Sequence, residues 1–207
     1  MRNIFRVICA AFIGPPSRPE PIQVSTCGNT NKKKALSEAA VREAIEVLPT
    51  AKVICIIDGD TVIVAKGWNE ITIRLDSIDC PEDGQYWGDT AKYGLIKLIG
   101  GRKVRLQEHG LDLHGRTLAT IFVQRDYKNE WTNVNERMVT LGHAWVMRRF
   151  YDHLPKDRKD RLNRLERWAR SKKVGLWRAS NPVPPWKWRN GRLSLDESGS
   201  LTNKTIF

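Results

Sequence analysis

The chain has 207 residues, enough for one domain with extensions, and its composition, 41% hydrophobic and 28% charged with eight tryptophans, is that of a soluble globular protein. The four cysteines, Cys9, Cys27, Cys55 and Cys80, have neither CxxC spacing nor disulfide density, which argues against a zinc site or a stapled mini-protein and leaves free thiols or a Cys55 to Cys80 bridge open. A formal charge of +12 and a pI near 9.8 favour a polyanionic partner, and charge alone admits both nucleic acid and an anionic membrane surface.

The N-terminus, "MRNIFRVICAAFIGPPSRPEP", has basic residues, an apolar run from Val7 to Ile13 and then prolines. It half resembles an export signal, but no clear small-x-small cleavage site follows; export and a cytoplasmic location both stand as expectations. No later stretch approaches the roughly 20 apolar residues of a membrane span, so stable membrane insertion is not expected. Residues 15–34, rich in proline and polar groups, read as a linker, and residues 35–49 read as a short helix with Leu36, Ala40, Ala44, Val47 and Leu48 on one face and Pro49 as its stop. These segments make up an N-terminal extension over 1–51.

From Lys52 the period changes. Strands are predicted at 52–57, 61–66, 71–76, 103–107 and 117–123, with Ile71, Ile73 and Leu75 alternating against Thr72, Arg74 and Asp76. A helix between the third and fourth strands carries Ala91, Leu95, Leu98 and Ile99, capped by Asp89 and ended by Gly100-Gly101. Two more follow the fifth strand, one at 134–141 and one from Pro155 to Lys173, the latter with Leu162, Leu165, Trp168 and Ala169 facing inward and Gly175 closing its end. Five strands with helices in these places predict a five-stranded Greek-key barrel of OB type with three helices packed on it, over residues 52–178. Residues 179–207 read as an extended tail containing proline and tryptophan, frayed after about Arg192.

The stretch "VICIIDGDTVIV", residues 53–64, poses a chemical question. Asp58-Gly59 supplies a hairpin turn, so Asp60 is surplus to the fold. A second cluster, "RLDSIDCPE" at 74–82, offers Arg74, Asp76, Asp79 and Glu82. If strands two and three pair through "KGWNE", Asp60 comes near Asp79. Converging carboxylates need a cation, and with oxygen donors alone a hard divalent ion, Ca²⁺ or Mg²⁺, is selected. Asp60, Asp79 and the Cys80 backbone carbonyl are the predicted ligands, with Asp58 orienting them. Arg74 suits a phosphodiester, and Glu82 suits removal of a proton from an attacking water.

The order IDGDT, then RLxxIDxPE, then DxxGR resembles the staphylococcal nuclease (thermonuclease) family over residues 52 to about 178. "GDTAKYGLIKLIGGRKVRL", "NVNERMVTLGHAWV" and "LERWARSKKVGLW" are similar to that family's helices and intervening strand. The resemblance implies an OB-fold, Ca²⁺-dependent hydrolysis of DNA and RNA, endonucleolytic and exonucleolytic, with 3′-phosphorylated products. It also implies Asp60, Asp79 and the Cys80 carbonyl as metal ligands, Arg74 as a phosphate contact, Glu82 as general base and Arg116, in "DLHGR", as a second catalytic arginine. Three positions depart from the family: Cys80 where threonine is frequent, and His114 and Met147 where tyrosines are. His114 is therefore a candidate substrate-side residue rather than an essential acid.

Residues 148–173 hold eleven Lys or Arg against four Asp or Glu, a local charge of 11 − 4 = +7. That field would draw in a single-stranded or frayed nucleic acid. "PPWKWR" alternates aromatic and basic residues as a stacking platform does, but Trp186 and Trp188 are expected to tie the tail to the barrel. No oligomer interface is indicated, and a monomer is expected. The rival reading is an OB-type nucleic-acid-binding module without catalysis.

Overall fold

A computed structural model describes residues 38–124 and 130–190, together with the backbone of 192–195 and 201–204. The possible export segment, the linker and the far end of the tail lie outside the described residues. Residues 38–46 are helical (α1). The buried residue of this helix is Ile45, while Val47, expected on the inner face, is 78% exposed. Ala40 and Ala44 of the expected stripe are exposed as well, so that stripe is not what packs.

The barrel strands are β1 (Thr50–Ile56), β2 (Thr61–Lys66), β3 (Asn69–Leu75), β5 (Lys103–Leu111) and β6 (Thr117–Gln124), with the two-residue β4 (Ile78–Asp79) between β3 and β5. Antiparallel pairs β1–β2, β2–β3, β1–β5 and β5–β6 run around the wall, and the parallel pair β3–β6 closes it. Closure leaves these five strands without a free edge of the kind that invites aggregation. Alternation decides which side chains fill it: Val62, Val64, Ile73, Leu75, Val104, Leu106 and Ile121 are all buried in one cluster. The OB-type barrel read from the strand pattern is the fold observed.

Helix α2 (Gly88–Ile99) lays Ala91, Leu95 and Ile99 on that core. Its N-cap is Trp87 in a left-handed conformation; Asp89 lies in the first turn and does not cap, a correction to the sequence expectation. The short β7 (Trp131–Asn133) leads to α3 (Val134–Thr140), capped by the Asn133 side chain accepting from Glu136 N–H at 3.1 Å. After β8 (Trp145–Val146), which pairs with β4, α4 spans Lys156–Ser171. Leu162 and Ala169 face inward as expected, but Trp168 is 47% exposed and the carboxylate of Glu166 is buried in its place. The helix ends in a pair of turn bonds, Lys173 N–H to Arg170 C=O and Val174 N–H to Ala169 C=O, with Lys173 at φ 50 the first left-handed residue after it and Gly175, at φ 62, two residues further on. Gly175 instead permits a close approach of two segments, because a Cβ there would collide with the carbonyl oxygen of Gly142 and the two backbones meet directly.

Beyond a 3₁₀ turn at Gly175–Arg178, the proline-rich stretch forms α5 (Pro185–Asn190), followed by the paired β9 (Arg192–Leu195) and β10 (Leu201–Lys204). Trp186 joins Trp145 and Trp177 in a small second core, its ring 6.4 Å from that of Trp145. Cys55 is exposed and Cys80 buried, and both are free thiols.

Candidate active site

Two strand ends build the site. The β2–β3 register pairs Thr61 with Arg74, and Leu75 N–H donates to the Asp60 carbonyl at 2.8 Å, so Asp60 enters β2 beside the exit of β3. Ser77, at φ 63, then turns the chain into β4, whose pairing with β8 fixes Asp79 opposite Trp145. Asp79 is fully buried and Asp60 nearly so. The expected Asp58-Gly59 turn is different in detail. Gly59 is not among the glycines with positive φ; it is small because a Cβ would lie 2.7 Å from Cys80 Cβ and 3.0 Å from Ala91 Cβ. Asp58 orients its neighbour as expected, its Oδ1 accepting from Asp60 N–H at 2.9 Å.

Arg74 sits between the two acids. Its Nη2 donates to Asp79 Oδ1 at 2.6 Å, and its Nη1 stands 2.6 Å from Asp60 Oδ1 as an ion pair without hydrogen-bond geometry. The second Asp60 oxygen accepts from Cys80 N–H at 2.6 Å, and Thr61 Oγ1 donates to the first at 3.3 Å. The Cys80 thiol donates to the Gly59 carbonyl, and burial, reinforced by Asp60, keeps it protonated. Glu82 follows Pro81 out of the cluster; its N–H is held by Gln85 Oε1 at 3.0 Å. With Asp58, Pro81 and Lys92 it lines a cleft of about 200 Å³.

Arg189, which the sequence did not single out, completes the cluster. Its Nη2 donates to Asp79 Oδ2 at 2.8 Å and its Nη1 to Glu82 Oε1. Gln85 ties the same segment down by donating to the Val183 carbonyl at 2.6 Å. The only sequence signal was the basic half of "PPWKWR".

The structure thus brings Asp58, Asp60, Arg74, Asp79, Cys80 and Glu82 together. Arg116 stands at the start of β6, one residue before the Thr117 that pairs with Ile73, and its guanidinium pairs with Asp112 at 2.7 Å. Burial of Asp112 is outweighed by its bonds from Arg116 and His114, which lower its pKa. His114 is an exposed loop residue held through its backbone N–H by Asp112, and Met147 is buried. On and just before α4 the positive charge is partly used internally: Arg148 and Arg170 pair with buried Glu166, and Arg158 and Arg161 with Glu136. Arg164, Arg167, Lys172 and Lys173 face solvent.

The electrostatics of the cluster fit a cation. Three carboxylates share two guanidinium groups. Burial pushes Asp60 up to about 8; Arg74 opposes this, and Asp58 and Asp79 add to it. The same acids overcome the burial of Arg74 and hold it firmly protonated. An oxygen-only donor set that is short of positive charge fits a hard divalent ion such as Ca²⁺.

A family model described as staphylococcal nuclease homologue matches residues 72–179. The chain belongs to the staphylococcal nuclease family. A micrococcal nuclease of Shigella flexneri is 37% identical over 141 residues, covering 67% of this chain and 79% of that protein. Protein ParB of Escherichia coli is 38% identical over 151 residues, covering 72% and 83% respectively. An uncharacterized endonuclease of Haemophilus influenzae is 37% identical over 141 residues, covering 68% and 72%.

Proposed function

We propose that the chain is a calcium-dependent, sugar-nonspecific nuclease that hydrolyses DNA and RNA, within strands and from ends, breaking the bond between phosphorus and the 5′ oxygen to leave 3′-phosphates. The observation that carries this reading is the convergence of Asp60, Arg74, Asp79 and Glu82. Asp60, Asp79 and the Cys80 carbonyl are the residues that would hold calcium. Bound there, the ion supplies positive charge to a phosphoryl oxygen. Arg74 offers a planar pair of donors to the diester, which stabilises charge gathering on five-coordinate phosphorus; one such group is worth about 3–4 kcal/mol. Glu82 takes the proton of the water attacking in line, and must first leave Arg189. Arg116, on release from Asp112, serves as the second phosphate contact. The solvent-facing cations of α4 draw in a single strand or a frayed duplex, and binding weakens with salt.

The test is incubation of the purified chain with single-stranded DNA and with RNA in calcium or in chelator. Digestion in calcium alone, ending in 3′-phosphates and abolished by Glu82→Gln and by Arg116→Ala, is expected. Digestion that persists in chelator, or in both variants, overturns the proposal. A second reading, a binding module without catalysis, has the Arg189 contact in its favour, since that contact occupies the general base. Tight binding without cleavage, in wild type and in Arg189→Ala alike, would establish it.

A further inference from the structure

Asp76 belongs by sequence to the acid cluster, yet the structure sends it elsewhere. Ser77 reverses the chain, and Asp76, 2% exposed, turns to a different pair of partners. Its Oδ2 lies 2.9 Å from His153 Nε2 and 3.9 Å from His109 Nε2. His109 reaches this place because β5 is irregular between Glu108 and Leu111, with Gly110 at φ 108, which re-aims the strand end. His153 arrives from the segment between β8 and α4, anchored next door by buried Leu154. The two imidazole rings are 5.1 Å apart, and one ligand atom from each of the three residues falls within 4.8 Å of the others.

We propose that Asp76, His109 and His153 form a cation site of a different chemical class from the oxygen-donor cluster: a site for a divalent transition ion of the zinc type. Two imidazoles and one carboxylate are borderline ligands that select such an ion over calcium. Ligand atoms about 2.0–2.2 Å from a tetrahedral zinc lie about 3.3–3.5 Å from one another, and the distances of 2.9 and 3.9 Å straddle that value. Supporting contacts are in place. Ser77 Oγ donates to Asp76 Oδ2 at 2.8 Å and Asn135 Nδ2 donates to the Asp76 carbonyl at 3.0 Å; the ion would displace the hydrogen bond of 3.0 Å between Thr120 Oγ1 and His109 Nε2. Burial, with the nearby His153 and Arg158, outweighs the pull of Asp76 and lowers the pKa of His109. Arg158, a cation beside the site, is partnered by Glu136 at 3.8 Å. An ion here would clamp the segment ahead of α4 to the barrel wall.

The experiment is calorimetric titration of Zn²⁺, and separately Ca²⁺, into the full chain and into His109→Ala, His153→Ala and Glu82→Gln. One zinc ion bound, weakened at least tenfold in either histidine variant and unchanged in Glu82→Gln, is expected; calcium binding should not respond to His153→Ala. Because His109 is mostly enclosed, His153→Ala, with 37% of the native side chain exposed, decides the matter if the other variant unfolds. Absence of zinc binding, or zinc binding that survives His153→Ala, overturns the proposal, whatever the outcome of the nuclease assay.

Discussion

Arg189 grips Asp79 with two nitrogens, Nη2 at 2.8 Å from Oδ2 and Nη1 at 3.3 Å from Oδ1, although 110 positions separate the two residues. Burial works against the charge on Arg189, but its bonds to Asp79 and Glu82 outweigh this and raise its pKa. The arginine therefore competes for the same oxygens as a metal ion and holds the general base. Arg189→Ala should tighten calcium binding several-fold and raise cleavage at limiting calcium. Titrating the rate against calcium checks this; a lower rate at saturating calcium would instead place Arg189 among the phosphate contacts.

Removing the C-terminal segment tests how that arginine is held. Trp186 packs edge-on against Trp145, and Gln85 binds the Val183 carbonyl. Deleting residues 181–207 should lower stability more than it changes affinity for single-stranded DNA. Thermal unfolding and a binding titration on the same preparation separate the two effects.

Glu166 is the buried charge of α4. One oxygen accepts from Val146 N–H at 3.0 Å, and the other meets Arg148 Nη2 at 2.5 Å. Glu166→Ala strands a buried donor and should cost about 3 kcal/mol, read from denaturant unfolding. Glu166→Gln keeps one acceptor and should cost less.

His143 gives stability a pH dependence. Burial, with Arg137 adding to it, depresses its pKa to about 4 from the ordinary 6.5, and Trp87 Nε1 donates to its Nδ1 at 3.0 Å, which a proton on that nitrogen would block. Between those values the unfolded chain binds the proton more readily. This contribution to stability is full above pH 6.5, falls as pH drops towards 4, and is flat below. Allowing for partial solvent exposure, about 2 kcal/mol is at stake. His143→Gln should flatten that part of a stability curve measured from pH 8 to pH 4.

Gly59→Ala should destabilise the chain by about 1–3 kcal/mol and disturb Asp60, because the added methyl meets Cys80 Cβ and Ala91 Cβ. Pairing it with Cys80→Gly should recover part of the loss, and a double-mutant cycle measures the coupling.

The barrel was legible because strand alternation and the "KGWNE" turn are local signals, and the proximity of Asp60 to Asp79 followed from one antiparallel register. Arg189 was not legible: its partners lie more than a hundred residues away, and nothing in a basic-aromatic run says which carboxylate it will reach. Asp76 was misplaced for a related reason, since β3 ends at Leu75 and the alternation that would have kept it beside Arg74 stops one residue short. Trp168 and Glu166 traded the environments their polarity suggests. Arg148 and Arg170 neutralise the carboxylate, whereas the indole can tolerate water. Gly59 looked like a turn former and turned out to be a spacer.

The backbone-to-backbone meeting of Gly142 and Gly175 has a bearing on how the molecule is made. Leu176 N–H binds the Gly142 carbonyl, and Leu176 and Trp177 fill the second small core, so that core stays open until the ribosome has released the chain past Trp177. Arg189 emerges later still. The acids of the cluster therefore all leave the ribosome before the residue that covers them.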